Sequence, residues 1–378
     1  MANIRKYIIN CIKSLDPTLF ICTTLLSLIS LVTIAGMGDV GPRTLIMQAA
    51  MTTAGIVFTL VIANIDYHHI IDRLWIFFII ISVGLLGITL VFGSSGVSIE
   101  TANRSWLVIP GINMMIQPSE FVKIALVCSF AKHITMVGDN INKPKYLLLL
   151  AIHAGAIVGL ILLSGDLGVA LVYMGFLLIM LFCAGLSPWY LLGGAGALMI
   201  AFPMIWNYFL AGYQKERIIV GFNPELDPLG KGQQPLLSKQ CIENGGFFGI
   251  GFGNDGDYVL NGASHTDFIY STVCEKFGFF AGIAIIVILV VMVVRIFMIA
   301  YKCGRDMGAH IAIGVAAIII VQSVENIGMC LAMVPVVGIT LPFVSYGGSS
   351  VLATYILVAL IHSVRGHRPR AGYERYRK

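Results

Sequence analysis

Apolar runs of roughly 18 to 25 residues recur along nearly the whole chain, separated by short polar joints. They lie at about 18–37, 44–65, 70–93, 119–136, 145–163, 166–185, 188–209, 266–300, 309–335 and 342–364. As a helix, each is long enough to cross about 30 Å of hydrocarbon. Backbone groups in lipid must be hydrogen-bonded within their own segment, so the runs predict helices rather than open strands. The pattern predicts an all-α polytopic membrane protein of ten transmembrane helices, a single membrane domain over 1–378. One long extracytoplasmic loop, 210–264, separates spans seven and eight.

Composition agrees: 58% of residues are hydrophobic and 11% charged, which excludes an ordinary soluble domain. Lysine and arginine set the orientation. With the N-terminus inside, the cytoplasmic segments hold 16 of the 24 cations and the outer segments 8. Both termini are therefore expected in the cytoplasm, the C-terminal one as a basic tail over 365–378. The net charge of +5 is topological and gives no nucleic-acid signal. The first span, behind Arg5, Lys6 and Lys13, lacks a small-residue cleavage site and reads as an anchor. The eight cysteines show no paired spacing, and no residue cluster reads as a metal site. Neither His68-His69 nor His153 changes that, the first being polar loop residues and the second an interhelical hydrogen-bonding group.

The chemistry gathers at the outer ends of the spans. Arg104, beside Trp106, is either an interface anchor or a bidentate grip for phosphate oxygens. Gln117-Pro118 starts a helix with Glu120 in its first turn and Lys123 three residues on, on the same face. Because Ile124, Ala125, Leu126 and Val127 follow directly, the Lys123 ammonium is expected to face a bundle interior or a wet cavity. Asp166 opens the sixth span, as a cap or as a second acid at the same mouth. The 210–264 segment holds Arg217 and many glycines, which permit tight turns and close approach to a ligand. Its Gly249-Ile250-Gly251 has no preceding strand, so a dinucleotide site fails on context. Asn223 to Gly230 reads as a turn-rich lid.

Asp267, after His265, opens span eight, and an acid at a membrane boundary is a functional candidate by default. Gln322, Glu325 and Asn326 face inward from span nine. The stretch from Val334 to Ser350 is rich in helix breakers and reads as a re-entrant hairpin. An acid beside a lysine can act as a general base, and nearby cations can hold a pyrophosphate leaving group. Such parts fit either chemistry on a phosphate-bearing lipid or a transporter with the same charged cavity.

At these residues the sequence resembles the SEDS proteins (shape, elongation, division and sporulation), bacterial enzymes that polymerise peptidoglycan. The resemblance is carried by Arg104-Ser105-Trp106, Gln117-Pro118-Ser119-Glu120 with Lys123, Asp166-Leu167-Gly168 and Asn223 to Gly230. It continues through Gly245-Gly246-Phe247-Phe248-Gly249, His265-Thr266-Asp267-Phe268-Ile269, Asn326-Ile327-Gly328-Met329 and Leu341 to Ser350. The lid and the His-Thr-Asp-Phe form look closest to the RodA branch, with the FtsW-like division and sporulation branch next. Departures are Ser164-Gly165 in place of Gln-Pro, Lys276 in place of an acid, Glu243-Asn244 in place of Gly-Ser, and Thr340 in place of proline.

The resemblance implies a glycosyltransferase that uses lipid II in the bacterial cytoplasmic membrane. It implies Asp267 as the essential base, Lys123 pairing with it, and Glu120 supporting Lys123. Arg104 and Arg217 would face the pyrophosphate, with Asp166, His265, Gln117 and Ser345 as further substrate contacts. A class B penicillin-binding protein is the implied partner, with membrane lipid around both. No cofactor is assigned, and a divalent cation is not readable from the residues. A flippase for lipid-linked precursors is the alternative.

Overall fold

The computed structural model describes residues 15–38, 40–94, 104–109, 114–210, 212–253 and 263–367. Arg5, Lys6, Lys13, the tail from 368, Thr101–Asn103, Pro110-Gly111, Gly256 and Gly262 lie outside the described residues. Ten apolar helices form the body: α1 Pro17–Ala35, α2 Pro42–Ile62, α3 Tyr67–Phe92, α4 Pro118–Val137 and α5 Pro144–Leu163. They continue as α6 Leu167–Cys183 and α7 Pro188–Met204. Two shorter helices follow, α8 Gly212–Phe222 and α9 Gln233–Gly245. The last three spans are α10 Ile269–Cys303, α11 Met307–Cys330 and α12 Gly348–Gly366. Among the described residues, nine helices are long and apolar enough to cross a membrane. The tenth, α6, has 17 residues, about 25 Å at 1.5 Å per residue.

Helix starts follow local chemistry. Pro17, Pro42, Pro118, Pro144 and Pro188 each take the first helical position, where a missing N–H costs nothing. Asp16, Asp66, Asp166 and Asp306 cap their helices by accepting from Leu19, His68, Val169 and Gly308 backbone N–H groups. Helices α11 and α12 are the most deeply embedded, while no residue of α7 is buried. Small and polar residues join neighbours: the Tyr355 ring lies over Gly55, and its hydroxyl meets Ser27 Oγ at 2.7 Å.

The expected all-α architecture stands, and the structure refines it in three places. The 210–264 segment is not simply a loop, since α8 and α9 lie in it. Ser238 of α9 bonds Ser271 of α10 at 2.5 Å and the Cys330 carbonyl at 2.8 Å. The outer joint after α3 holds one short strand pair, β1 Leu107–Ile109 antiparallel to β2 Met114–Ile116, within an otherwise all-α fold. The ninth and tenth apolar runs are cut short. Residues 331–347 are non-helical because Pro335, Gly338, Pro342 and Gly347 interrupt the ladder.

Gly245 and Gly249 of the outer segment pack directly against the backbone of α10. Gly249, at φ +83°, lies against the Lys276 carbonyl, while Ile250 and Gly251 donate to the carbonyls of Glu275 and Lys276 at 2.9 and 3.1 Å. Gly278, at φ +81°, breaks α10 where this segment lies against it. Those contacts seal the start of α10 before it enters the body.

At the end of the bundle opposite α8 and α9, Asp16 is fully buried. Arg295 donates to it from Nε and Nη2 at 3.0 and 2.7 Å, and Arg365 Nε lies 3.3 Å away. The Asp16 N–H donates to His362 Nδ1 at 2.9 Å, so α1, α10 and α12 meet at one carboxylate. Nearby, Asp306 accepts from Tyr67 OH at 2.8 Å and pairs with His68 at 3.3 Å. Burial alone would raise the Asp306 carboxyl, but the His68 and Tyr67 hydrogen bonds outweigh it and hold its pKa at about 2.

Replacing Asp16 with Ala strips both arginines of their shared acceptor. Thermal unfolding in detergent should show a loss of about 2–3 kcal/mol, the range for hydrogen bonds to charged groups. An unfolded aspartate titrates near ~3.9, above the folded value of Asp306. Its stabilisation is therefore full above about pH 4 and lost as pH falls toward about 2. Asp306→Asn should flatten that limb of the unfolding midpoint measured against pH.

Candidate functional site

The first turn of α4 supplies the cations and acids. Pro118 fixes the helix start, which turns Glu120 and Lys123 to one side. Lys123 Nζ lies 2.8 Å from Glu120 Oε2, with side chains 3% and 7% exposed. The i+3 pair is thus in the bundle interior and not at the surface. Around it is a cavity of about 20 Å³, room for a water-sized group, lined by Gln117, Glu120, Lys123, Tyr173, Gln322 and Gly338. Tyr173 OH donates to the Ser119 carbonyl at 2.5 Å and fixes α6 against α4.

Asp267 lies one residue before the N-cap of α10, in the turn Ala263–Phe268, so it does not cap the helix. Thr266 and Phe268 N–H groups both donate to the Ala263 carbonyl, at 3.2 and 3.1 Å, which closes that turn. The half-buried Asp267 carboxylate approaches Gly338, where a Cβ would fall 3.5 Å from Oδ2. Gly338 also borders the Lys123 cavity, so one glycine joins the two halves of the site. Its φ of +72° belongs to the region that glycine tolerates best.

The resemblance implied that Lys123 pairs with Asp267. In the structure the carboxylate in ion-pair contact with Lys123 is that of Glu120. Gln117 joins the group, and its Nε2 donates to Asp166 Oδ2 at 3.5 Å. Asp166 also caps α6, accepting from the Val169 N–H at 3.1 Å. His265 and Ser345 tie the Asp267 turn to the 331–347 segment. Tyr346 N–H donates to the His265 carbonyl at 2.8 Å, with the two rings 5.3 Å apart. Ser345 Oγ donates to the Thr266 carbonyl at 2.7 Å and accepts from Leu341 N–H at 2.7 Å.

Arg104 stands elsewhere: it is exposed, and its Nη1 donates to the Leu90 carbonyl at 3.3 Å, near the end of α3. Arg217 lies on α8, and its side chain falls outside the described residues. Sequence reasoning did not assign Gln322, Asn326 or Gly338 to the site. The signal for the first two was their spacing, since Gln322, Asn326 and Cys330 repeat at i, i+4 and i+8 on one face of α11. The place of Gly338 had no such signal, because a glycine among other breakers looks the same wherever it packs.

Chemically, the arrangement offers a carboxylate, Asp267, at the rim of a low-dielectric cavity that holds an ammonium. Charges in such a place act more strongly than in water. A carboxylate so placed can take a proton from a bound hydroxyl.

Comparison with known proteins identifies the family of the chain as a whole. The family model described as "Cell cycle protein" (FtsW, RodA, SpoVE) matches residues 14–370. A probable peptidoglycan glycosyltransferase FtsW from Trichlorobacter lovleyi is 34% identical over 325 residues, 84% of this chain and 82% of that one. The peptidoglycan glycosyltransferase MrdB of Escherichia coli K12 is 32% identical over 365 residues, 94% of each. Among solved structures, a chain described under structural coordination of polymerization and crosslinking by a peptidoglycan synthase complex superposes with a TM-score of 0.80. It is 28% identical, over 96% of this chain and 99% of that one. The rod shape determining protein RodA of Thermus thermophilus superposes with a TM-score of 0.69 at 26% identity, covering 93% and 97%. With one model spanning nearly the whole sequence and two relatives above 30% identity over most of their length, this chain belongs to the FtsW/RodA/SpoVE family.

Proposed function

We propose that the chain is a peptidoglycan glycosyltransferase in which Asp267 is the base, with Lys123 and Glu120 as its electrostatic support. The observation that carries the site assignment is the shared wall at Gly338, which borders both the Asp267 carboxylate and the Lys123–Glu120 cavity. The activity is that of its relatives, named as peptidoglycan glycosyltransferases. The substrate is lipid II, an undecaprenyl-pyrophosphoryl disaccharide-peptide.

The reaction follows from where the charges sit. Asp267 takes the proton of the acceptor sugar's 4-hydroxyl as that oxygen bonds to the anomeric carbon of the donor. The bond from that carbon to the pyrophosphate oxygen breaks, and undecaprenyl pyrophosphate leaves with the electron pair. Lys123, paired with Glu120, favours the ionised, proton-accepting form of Asp267 before the transfer. Arg104 and Arg217 meet the pyrophosphate further out. Gln117 and Asp166 line the inner side, while His265 and Ser345 hold the turn that bears the base.

The chain forms a single ten-span domain over 1–378 in the bacterial cytoplasmic membrane, both termini inside. The α8 and α9 face lies outside with the substrate headgroup, and the basic tail faces the cytoplasm. A class B penicillin-binding protein is its cross-linking partner. That reading is supported by the fold shared with a chain of a peptidoglycan synthase complex described as coordinating polymerization and crosslinking.

Purified with its partner and supplied with lipid II, the wild-type protein should make glycan strands. Asp267→Ala should lose at least about 10²-fold in rate, the usual loss for a removed general base, while still binding the partner. The absence of glycan from the wild type would overturn the polymerase reading. Lys123→Ala should lose activity of similar order. Glu120→Gln should also lower activity and the unfolding midpoint, because the buried lysine loses the counter-ion that keeps it charged.

A further inference from the structure

Asn326 is fully buried on α11, one turn beyond Gln322, which lines the Lys123 cavity. Its Nδ2 donates to two backbone carbonyls on different segments, Asp267 at 2.7 Å and Ile339 at 2.6 Å. A primary amide has two N–H groups fixed in one plane, so one side chain sets the spacing of both acceptors. Cys330, a further turn along, adds a weaker Sγ contact to the Asp267 carbonyl at 3.7 Å.

The position of these two carbonyls makes the contact consequential. The α10 ladder begins at Phe268, whose carbonyl accepts from Ser271 and Thr272. Asp267 therefore precedes the regular helix, and its carbonyl is held by α11 rather than by its own helix. Ile339 follows Gly338, the residue that meets both the Asp267 carboxylate and the cavity. The amide thus grips one residue on each side of the approach between base and cavity wall.

We propose that Asn326 is a positioning residue for the transfer reaction. By clamping the Asp267 and Ile339 carbonyls it holds the Asp267 carboxylate against Gly338 at the edge of the Lys123–Glu120 cavity. The inference rests on Asp267 being the base. A displacement of about 1 Å in such a group costs on the order of 10²-fold in rate. Asn326 lies behind the base and not among the groups proposed to meet the substrate, so its loss acts on turnover rather than on substrate binding.

The test uses the full chain in complex with its cross-linking partner, with lipid II as substrate. Rate, KM, partner capture and thermal unfolding are measured for wild type, Asp267→Ala, Asn326→Leu and Asn326→Asp. Asn326→Leu removes both donors at similar volume. It should lower kcat by about 10²-fold with KM within about twofold of wild type, since only transition-state interactions are lost. Asn326→Asp keeps the shape and, when protonated, a single donor. Its kcat should fall between those of wild type and Asn326→Leu, again at unchanged KM, and it decides the matter if the leucine variant does not fold.

Wild-type kcat in the folded variants, with Asp267→Ala inactive, would overturn the positioning role and leave the base assignment standing. An active Asp267→Ala would overturn both. A merely structural role would appear as a rise in KM and a loss of partner capture alongside the fall in kcat, and would also overturn the proposal.

Discussion

The structure depends on keeping a non-helical backbone satisfied within the bundle. Residues 331–347 leave the helical ladder between α11 and α12, and at the buried positions, 339 and 341–345, each unpaired backbone group is costly. The chain meets that cost with side chains from outside the segment and within it. Asn326 holds the Ile339 carbonyl, Ser345 holds the Leu341 N–H, and the His265 carbonyl takes the Tyr346 N–H. Phe343 sits at φ +65° with its ring edge-on to Tyr355, 5.1 Å between centroids. A bulky residue there carries about 1–3 kcal/mol of strain, which persists only where surrounding contacts over-determine it. The same contacts fix the Asp267 turn, so the solution to a backbone problem also fixes the geometry of the candidate site.

A second constraint is charge. Glu120 and Lys123 are nearly excluded from solvent, and burying either alone would be prohibitive. Pairing makes their burial tolerable while leaving an ammonium at the cavity wall. At the opposite end, Asp16 gathers Arg295 and Arg365 for a structural purpose. The two differ in setting: Glu120 and Lys123 line a cavity beside the re-entrant segment, while Asp16 is buried beneath arginines that stay 27% and 31% exposed. Burial of charge alone therefore does not identify a site.

Much of the candidate site is legible in the amino-acid sequence. Glu120 and Lys123 share a helical face by spacing, and Pro118 fixes where that face begins. Asp166 reads as a cap and is one. Other roles come out differently because they depend on partners distant in sequence. Ser345 is a clasp on Thr266, 79 positions away, and Arg104 turns to the end of α3. Asp267 reads as a helix start, yet a closed turn places it just outside the helix. The glycines around Gly249 suggest close approach to a ligand, but the approach is to α10.

By itself the sequence determined the spans, because a run of apolar residues about 30 Å long has one stable form in lipid. It also determined the helix starts, through proline and aspartate, and the shared face of Glu120 and Lys123, through helical period. Which span meets which was decided only in three dimensions. Lipid tails are as apolar as leucine, so hydrophobicity does not choose between neighbouring helices. Small residues and a few polar clasps make that choice, and their partners lie far along the chain. Gly338 meets Asp267, and Asn326 meets the carbonyls of both Asp267 and Ile339, only once α4, α10 and α11 have packed.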